Sequence, residues 1–130
     1  FEEACSDLAL TPSQFAVLAV LYADTTLDQS SVARAIGLDK VTVSLLLRGL
    51  ESRGLVHRHP DLENRRRRVL TLTTEGKEVM RRSDGPAEAA YERLMAPFDA
   101  TQRVAFLHLL QRLTTSLENC SRAPLAPLVR

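Results

Sequence analysis

Tryptophan is missing from this 130-residue chain, and aromatic residues make up only 5% of it. That leaves little from which to build the aromatic stacking platform of a single-strand nucleic-acid binder. Cysteine is scarce too: Cys5 and Cys120 stand near opposite ends and form neither a CxxC pair nor a metal-ligand spacing. Two reduced thiols in a cytoplasmic protein is the plain reading; a redox link between two subunits is the other. No apolar run approaches the ~18 to 20 residues that span a bilayer, so no membrane partner is expected. No secretory signal stands out, and what precedes Phe1 is left open. A Gly-rich phosphate loop, a nucleophile–base set and a paired-carboxylate motif are all lacking. Neither an enzyme nor a cofactor is therefore expected.

What is present is a hydrophobic fraction of 45%, enough for one globular domain or a small lobe with an added interface layer. The net charge of +1 conceals an asymmetry. Between Ser31 and Arg68 nine basic residues face four acids, a local +5 against −4 for the rest. A basic centre between acidic ends is the electrostatic footprint of a nucleic-acid binder, although such patches also arise by chance.

The first ten residues place Phe1, Ala4, Cys5 and Leu8 at helical spacing, as at the end of a helix. In LTPSQFAVLAVLYA, Thr11 is a natural N-cap, Pro12 suits the first helical position and Gln14 completes a capping box. VARAIGL reads as a short helix ended by Gly37. Asp39 then caps KVTVSLLLRGLESRG, in which Val43, Leu46, Leu47 and Leu50 face a core and Gly54 closes the helix. Two helices joined by a short Gly-containing turn form a helix-turn-helix. LVHRH and RVLTLT read as a hairpin, with Val69/Thr71 alternating against Leu70/Leu72. The predicted class is mainly α with a small β-hairpin wing.

Thr73 or Thr74 can cap a further helix through EGKEVMRRS, bent near Gly85-Pro86 and continuing through AEAAYERLMAPF. Asp99 with Gln102 makes a second capping box for a last helix. That helix has two apolar edges, one with Val104, Leu107, Leu110 and Leu117, the other with Phe106, Leu109 and Leu113. This is more surface than one small wing domain can bury. The tail SRAPLAPLVR reads as irregular.

Three stretches, LTPSQFAVLAVL, VARAIGLDKVTVSLLLRGLESRGLV and ENRRRRVLTLTTEG, resemble the MarR family of bacterial winged-helix repressors over roughly residues 10 to 76. The more specific parts are the L-E-x-x-G-L-V run from Leu50 to Val56 and the L-T-x-x-G run from Leu72 to Gly76. The resemblance implies a homodimer held by N- and C-terminal helices, residues 1–10 and 77–130, with a winged-helix lobe at 11–76. It further implies a pseudo-palindromic operator in double-stranded DNA, with the recognition helix in the major groove and the wing tip in a minor groove. A small, often aromatic and anionic, ligand would release the DNA. Two departures stand out. Asn64 occupies the usual acidic position of the wing tip, where Asp61 or Glu63 could stand in, and Leu45 replaces a commonly polar residue. Leu45 cannot hydrogen-bond a base edge; it could touch a thymine methyl or be spare apolar surface. A peroxide-sensing variant does not fit, because Cys5 lies only six residues before Thr11.

Candidate DNA contacts on the recognition helix are Lys40, Thr42, Ser44 and Arg48, the alternative being an ordinary solvated face. Arg48 could instead pair with Glu51. In the wing the candidates are Arg65, Arg66 and Arg67, with Arg66 at the motif position for the minor groove. Successive strand residues point to opposite faces, so one of Arg67 and Arg68 is expected on phosphate and the other turned toward the dimer region. Arg68, Phe15 and Tyr22 are the ligand candidates, although Phe15 and Tyr22 would serve equally as core, the role expected of Leu18. His57 and His59 could share a metal, but a closed site needs more ligands; exposed wing residues is the preferred reading. His108 reads as an interface or surface histidine. A winged helix that has exchanged DNA for a protein partner is the competing function.

Overall fold

The structure, a computed structural model, describes residues 6–122, with side chains through residue 117. Cys5, most of the expected first helix and most of the tail lie outside the described residues, as does the side chain of Cys120. The chain forms two compact units that divide between Ala90 and Tyr91.

The first unit opens with α1 (Pro12–Ala23), and both halves of its capping box are made. Thr11 Oγ1 accepts from the Gln14 amide at 3.2 Å, and Gln14 Oε1 accepts from the Thr11 amide at 3.0 Å. Helix α2 (Gln29–Ile36) starts earlier than its apolar pattern suggests, because Asp28 caps it by accepting from the Ser31 amide at 2.8 Å. Gly37, at φ 70°, turns the chain into Asp39 and α3 (Lys40–Ser52). Gly54, also at φ 70°, leads into β1 (Val56–Pro60), which pairs antiparallel with β2 (Arg68–Leu72). Leu70 N–H also donates to the Leu27 carbonyl at 2.9 Å, which ties the hairpin to the segment before α2.

Val17, Leu18 and Leu21 of α1 meet Val32 of α2 and Val43, Leu47 and Leu50 of α3 in one buried cluster closed by Leu70 and Leu72. Each fully buried side chain of this size contributes roughly 1.5–3 kcal/mol. The expected strand alternation fails at one place. Val69 is buried along with Leu70, though it lies outside the main cluster.

The two motif runs meet where α4 (Thr74–Met95) begins. The Thr73 amide donates to the Leu55 carbonyl at 3.0 Å, and the Thr73 hydroxyl donates to the Gly54 carbonyl at 2.5 Å. That hydroxyl also accepts from the Gly76 amide at 3.0 Å, capping the helix. A Cβ on Gly76 would collide with the Leu55 carbonyl oxygen, so the spacing of the L-T-x-x-G run reflects backbone approach. Helix α4 runs on through Pro86 without interruption.

In the second unit α5 (Ala100–Arg122) follows the Asp99–Gln102 capping box, whose bonds measure 3.0 and 2.8 Å. Arg103 staples the preceding turn, pairing with Glu92 at 2.9 Å and donating to the Phe98 carbonyl at 3.1 Å. The leucines of α5 are bare in the single chain, Leu113 being 56% exposed and Leu117 60%. Among the described residues no helix is long and apolar enough to cross a membrane.

Candidate nucleic-acid interface

Helix α3 presents its N-terminal half to solvent because its apolar positions fall on the opposite side. Val43, Leu47 and Leu50 are wholly buried, which leaves Lys40, Val41, Leu45 and Arg48 outside. Asp39 organises the start of the helix: it accepts from the Thr42 amide at 2.9 Å and from the Thr42 hydroxyl at 2.6 Å. These bonds, the Thr42 hydroxyl first, hold the Asp39 carboxyl below its ordinary value of 3.8. The Thr42 hydroxyl thus spends its one proton on its own helix end and keeps only acceptor capacity. Ser44 is half-buried at the edge of the face. Arg48 is exposed and makes no pair with Glu51, whose carboxylate is taken by Arg58 of β1 at 3.0 Å.

The wing turn is built by short polar side chains. Asp61 Oδ1 accepts from the Glu63 amide at 3.0 Å, and Asn64 Oδ1 accepts from the Arg66 amide at 3.2 Å. Asn64 therefore shapes the turn as a short side-chain acceptor does, without a charge. Arg65 and Arg66 project from this turn into solvent.

Arg67 points the other way. Its guanidinium donates to Asp28 at 3.2 Å, to Asp61 at 3.4 Å and to the Thr26 carbonyl at 2.9 Å. It fastens the wing to the carboxylate that caps α2. The Asp28 carboxyl is held below 3.8 chiefly by its bonds to Ser31, with Arg67 adding to the effect.

Arg66 and Arg68 line a cleft of about 460 Å³ between the wing and the N-terminus of α2, together with Ser30, Gln29 and Asn64. Gln29 links this cleft to α3 by donating to the Lys40 carbonyl at 3.2 Å. Of the nine basic residues in the central window, three are tied to acceptors of the lobe itself: Arg58 to Glu51, Arg67 as above, and exposed Arg53 to the Ala9 carbonyl at 2.6 Å. The other six are Arg34, Lys40, Arg48, Arg65, Arg66 and Arg68, whose side chains have no hydrogen-bond or acidic partner among the described residues. A surface that keeps its cations unpaired is suited to a polyanion, because phosphates can then displace counterions instead of breaking internal pairs.

The ligand candidates are not brought together. Leu18 is core, and Phe15 packs against that core half-buried. Tyr22 is 49% exposed and lines a separate groove of about 660 Å³ beside Leu55, Lys77 and Arg82. Arg68 lies in the wing cleft instead. His57 and His59 stack with ring centroids 5.8 Å apart, and among the described residues no group of three or more potential ligands could hold a metal. Sequence reasoning missed Asp28, Gln29 and Ser30. The only local sign was a helix-capping Asp before a polar pair, in a stretch with no apolar periodicity.

Comparison with known proteins agrees with this arrangement. The MarR family model matches residues 10–67. The HTH-type transcriptional repressor NicR of Pseudomonas putida is 30% identical over 119 residues, covering 92% of this chain and 75% of its own. Among solved structures, the PcaV transcriptional regulator of Streptomyces coelicolor, in complex with its natural ligand, superposes with a TM-score of 0.76 at 30% identity, covering 89% of this chain and 84% of that one. A variant of S. aureus MepR bound to an oligodeoxyribonucleotide superposes with a TM-score of 0.64 at 27% identity, covering 89% and 86%. With a winged helix and relatives of this kind, the chain belongs to the MarR family of transcriptional regulators.

Proposed function

We propose that this chain is a cytoplasmic homodimeric repressor that grips a pseudo-palindromic operator with α3 and the wing and is released by a small ligand. The observation that carries the reading is the sorting of the arginines. Those that stabilise the lobe are paired inward, and Arg48, Arg65, Arg66 and Arg68 are left for phosphate and groove. Lys40 and Ser44 add a charge and a hydroxyl near the start of α3. Arg67 acts through the wing it anchors, not by touching DNA itself. The MepR complex with an oligonucleotide and the repressor role of NicR support the DNA half of this reading.

The lobe at 11–76 would bind DNA, and segments 1–10 and 77–130 would form the dimer, for which the bare leucines of α5 provide apolar surface. The PcaV complex supports a ligand-responsive protein. Tyr22 with Lys77 offers a ring and a cation to an aromatic acid, in a groove where Arg82 is already paired with Glu78 at 4.0 Å. The test is fluorescence anisotropy on a duplex from the gene's own upstream region and a scrambled control, across a salt series. Tight, sequence-selective binding that weakens steeply with salt is expected, followed by release with a member of a panel of small aromatic acids. Exposed Val41 and Leu45 favour one other reading, a winged helix that docks on protein. Binding indifferent to sequence, with the dimer intact, would select it.

A further inference from the structure

The exposed face of α3 is unusual for a surface flanked by free cations. Val41 is 71% exposed and Leu45 62% exposed, and the two are one helical turn apart on the same side. The Thr42 hydroxyl between them has its proton committed to Asp39 at 2.6 Å, which leaves it no donor for a base. What stands exposed on this face of α3 is therefore a pair of hydrocarbon side chains, with Lys40 and Arg48 beside them and Ser44 half-buried at the edge.

Two side chains make a patch far smaller than the ~800 Å² per partner of a stable protein interface. The unpaired cations beside them on the helix, Lys40 and Arg48, together with Arg66 and Arg68 of the wing cleft, complement a polyanion. Of the four bases, only thymine carries an apolar group on its major-groove edge, the C5-methyl. We propose that Val41 and Leu45 are specificity-determining residues that read thymine methyl groups at neighbouring positions of each half-site. This rests on the operator-binding reading above and adds to it the chemistry by which a site is chosen. Lys40 and Arg48 hold the backbone in register while the methyls decide which sequence fits.

The experiment begins with in vitro selection of duplexes from a random library by the full chain. Each thymidine of the tightest duplex is then replaced in turn by deoxyuridine, which removes the methyl and leaves every hydrogen-bonding group in place. Anisotropy is expected to show one or two thymines per half-site where the replacement weakens binding about four-fold, the equivalent of one buried CH₂. In Val41→Ala and Leu45→Ala, the thymine and uracil duplexes should bind alike at the corresponding position. The salt slope should stay unchanged, since no charge is removed. Both positions are exposed, so the variants should melt with the parent chain.

Tight selective binding that is indifferent to uracil at every position would overturn the methyl readout and leave the operator-binding reading standing. A uracil penalty that persists undiminished in both variants would assign the methyls to other residues and overturn it as well. Failure to select any preferred duplex would overturn both readings and pass Val41 and Leu45 to a protein partner.

Discussion

Leu47 and Leu110 both sit in mid-helix on an apolar face, yet Leu47 is fully buried and Leu110 is 46% exposed. The contrast runs through their two units. In residues up to Ala90 the apolar side chains of three helices and a hairpin close on one another. From Tyr91 onward the apolar edges of α5 stay bare in the single chain. The first pattern is that of a lobe that satisfies its own core. The second is that of a helix whose apolar surface asks for another chain, since a contiguous bare patch of this kind is rare on monomers.

The largest effect should come from the bare helix. Leu110→Asp combined with Leu113→Asp places two charges on the proposed dimer surface. Light scattering should then report the mass of one chain, with operator binding lost and the lobe still folded by circular dichroism. A dimer that survives would place the interface elsewhere. In the lobe, Leu47→Ala should act on folding instead, lowering stability in urea by about 2–5 kcal/mol through the cavity it leaves.

Arg66→Ala and Arg67→Ala separate contact from positioning. Each is expected to weaken operator binding by ~10-fold or more, as loss of a charged hydrogen bond does. Only Arg66→Ala should reduce the salt slope, by ~0.9 for one phosphate neutralised. Arg67→Ala should leave the slope in place, because its guanidinium faces Asp28 and Asp61. A reduced slope there would make it a phosphate contact after all.

The smallest effect is acid sensitivity. Asp39 and Asp28 are held below their ordinary 3.8 in the folded lobe, so their contribution is complete above that value. It is lost as pH falls through the lowered native values. Melts should show no change from these groups near neutrality and a decline below about pH 4. Asp39→Asn keeps a good N-cap and should remove that residue's share of the decline.

Much of the fold was legible because it rests on local rules. Thr11 with Gln14, Asp39 before Thr42, and Asp99 with Gln102 cap their helices through bonds spanning three residues, and short-range bonds of this kind show in a sequence. The start of α2 was not legible, since Asp28 precedes a polar run with no apolar rhythm. Nor was the burial of Val69, because alternation presumes one wet face. The four adjacent arginines, identical in type, take different roles. Arg67 finds Asp28, 39 residues earlier in the chain, and no local pattern announces a pairing at that separation.

Sequence alone thus determined the winged-helix lobe, its caps and the basic character of its centre, because periodicity, capping and charge count are properties of neighbours along the chain. Tertiary structure alone decided which cations are free, that Thr42 is engaged with Asp39 while Val41 and Leu45 stand bare, and that Gly76 must admit the Leu55 carbonyl. Those outcomes depend on which groups folding brings within bonding distance. A guanidinium pairs with the acid that arrives beside it, whatever its place in the sequence.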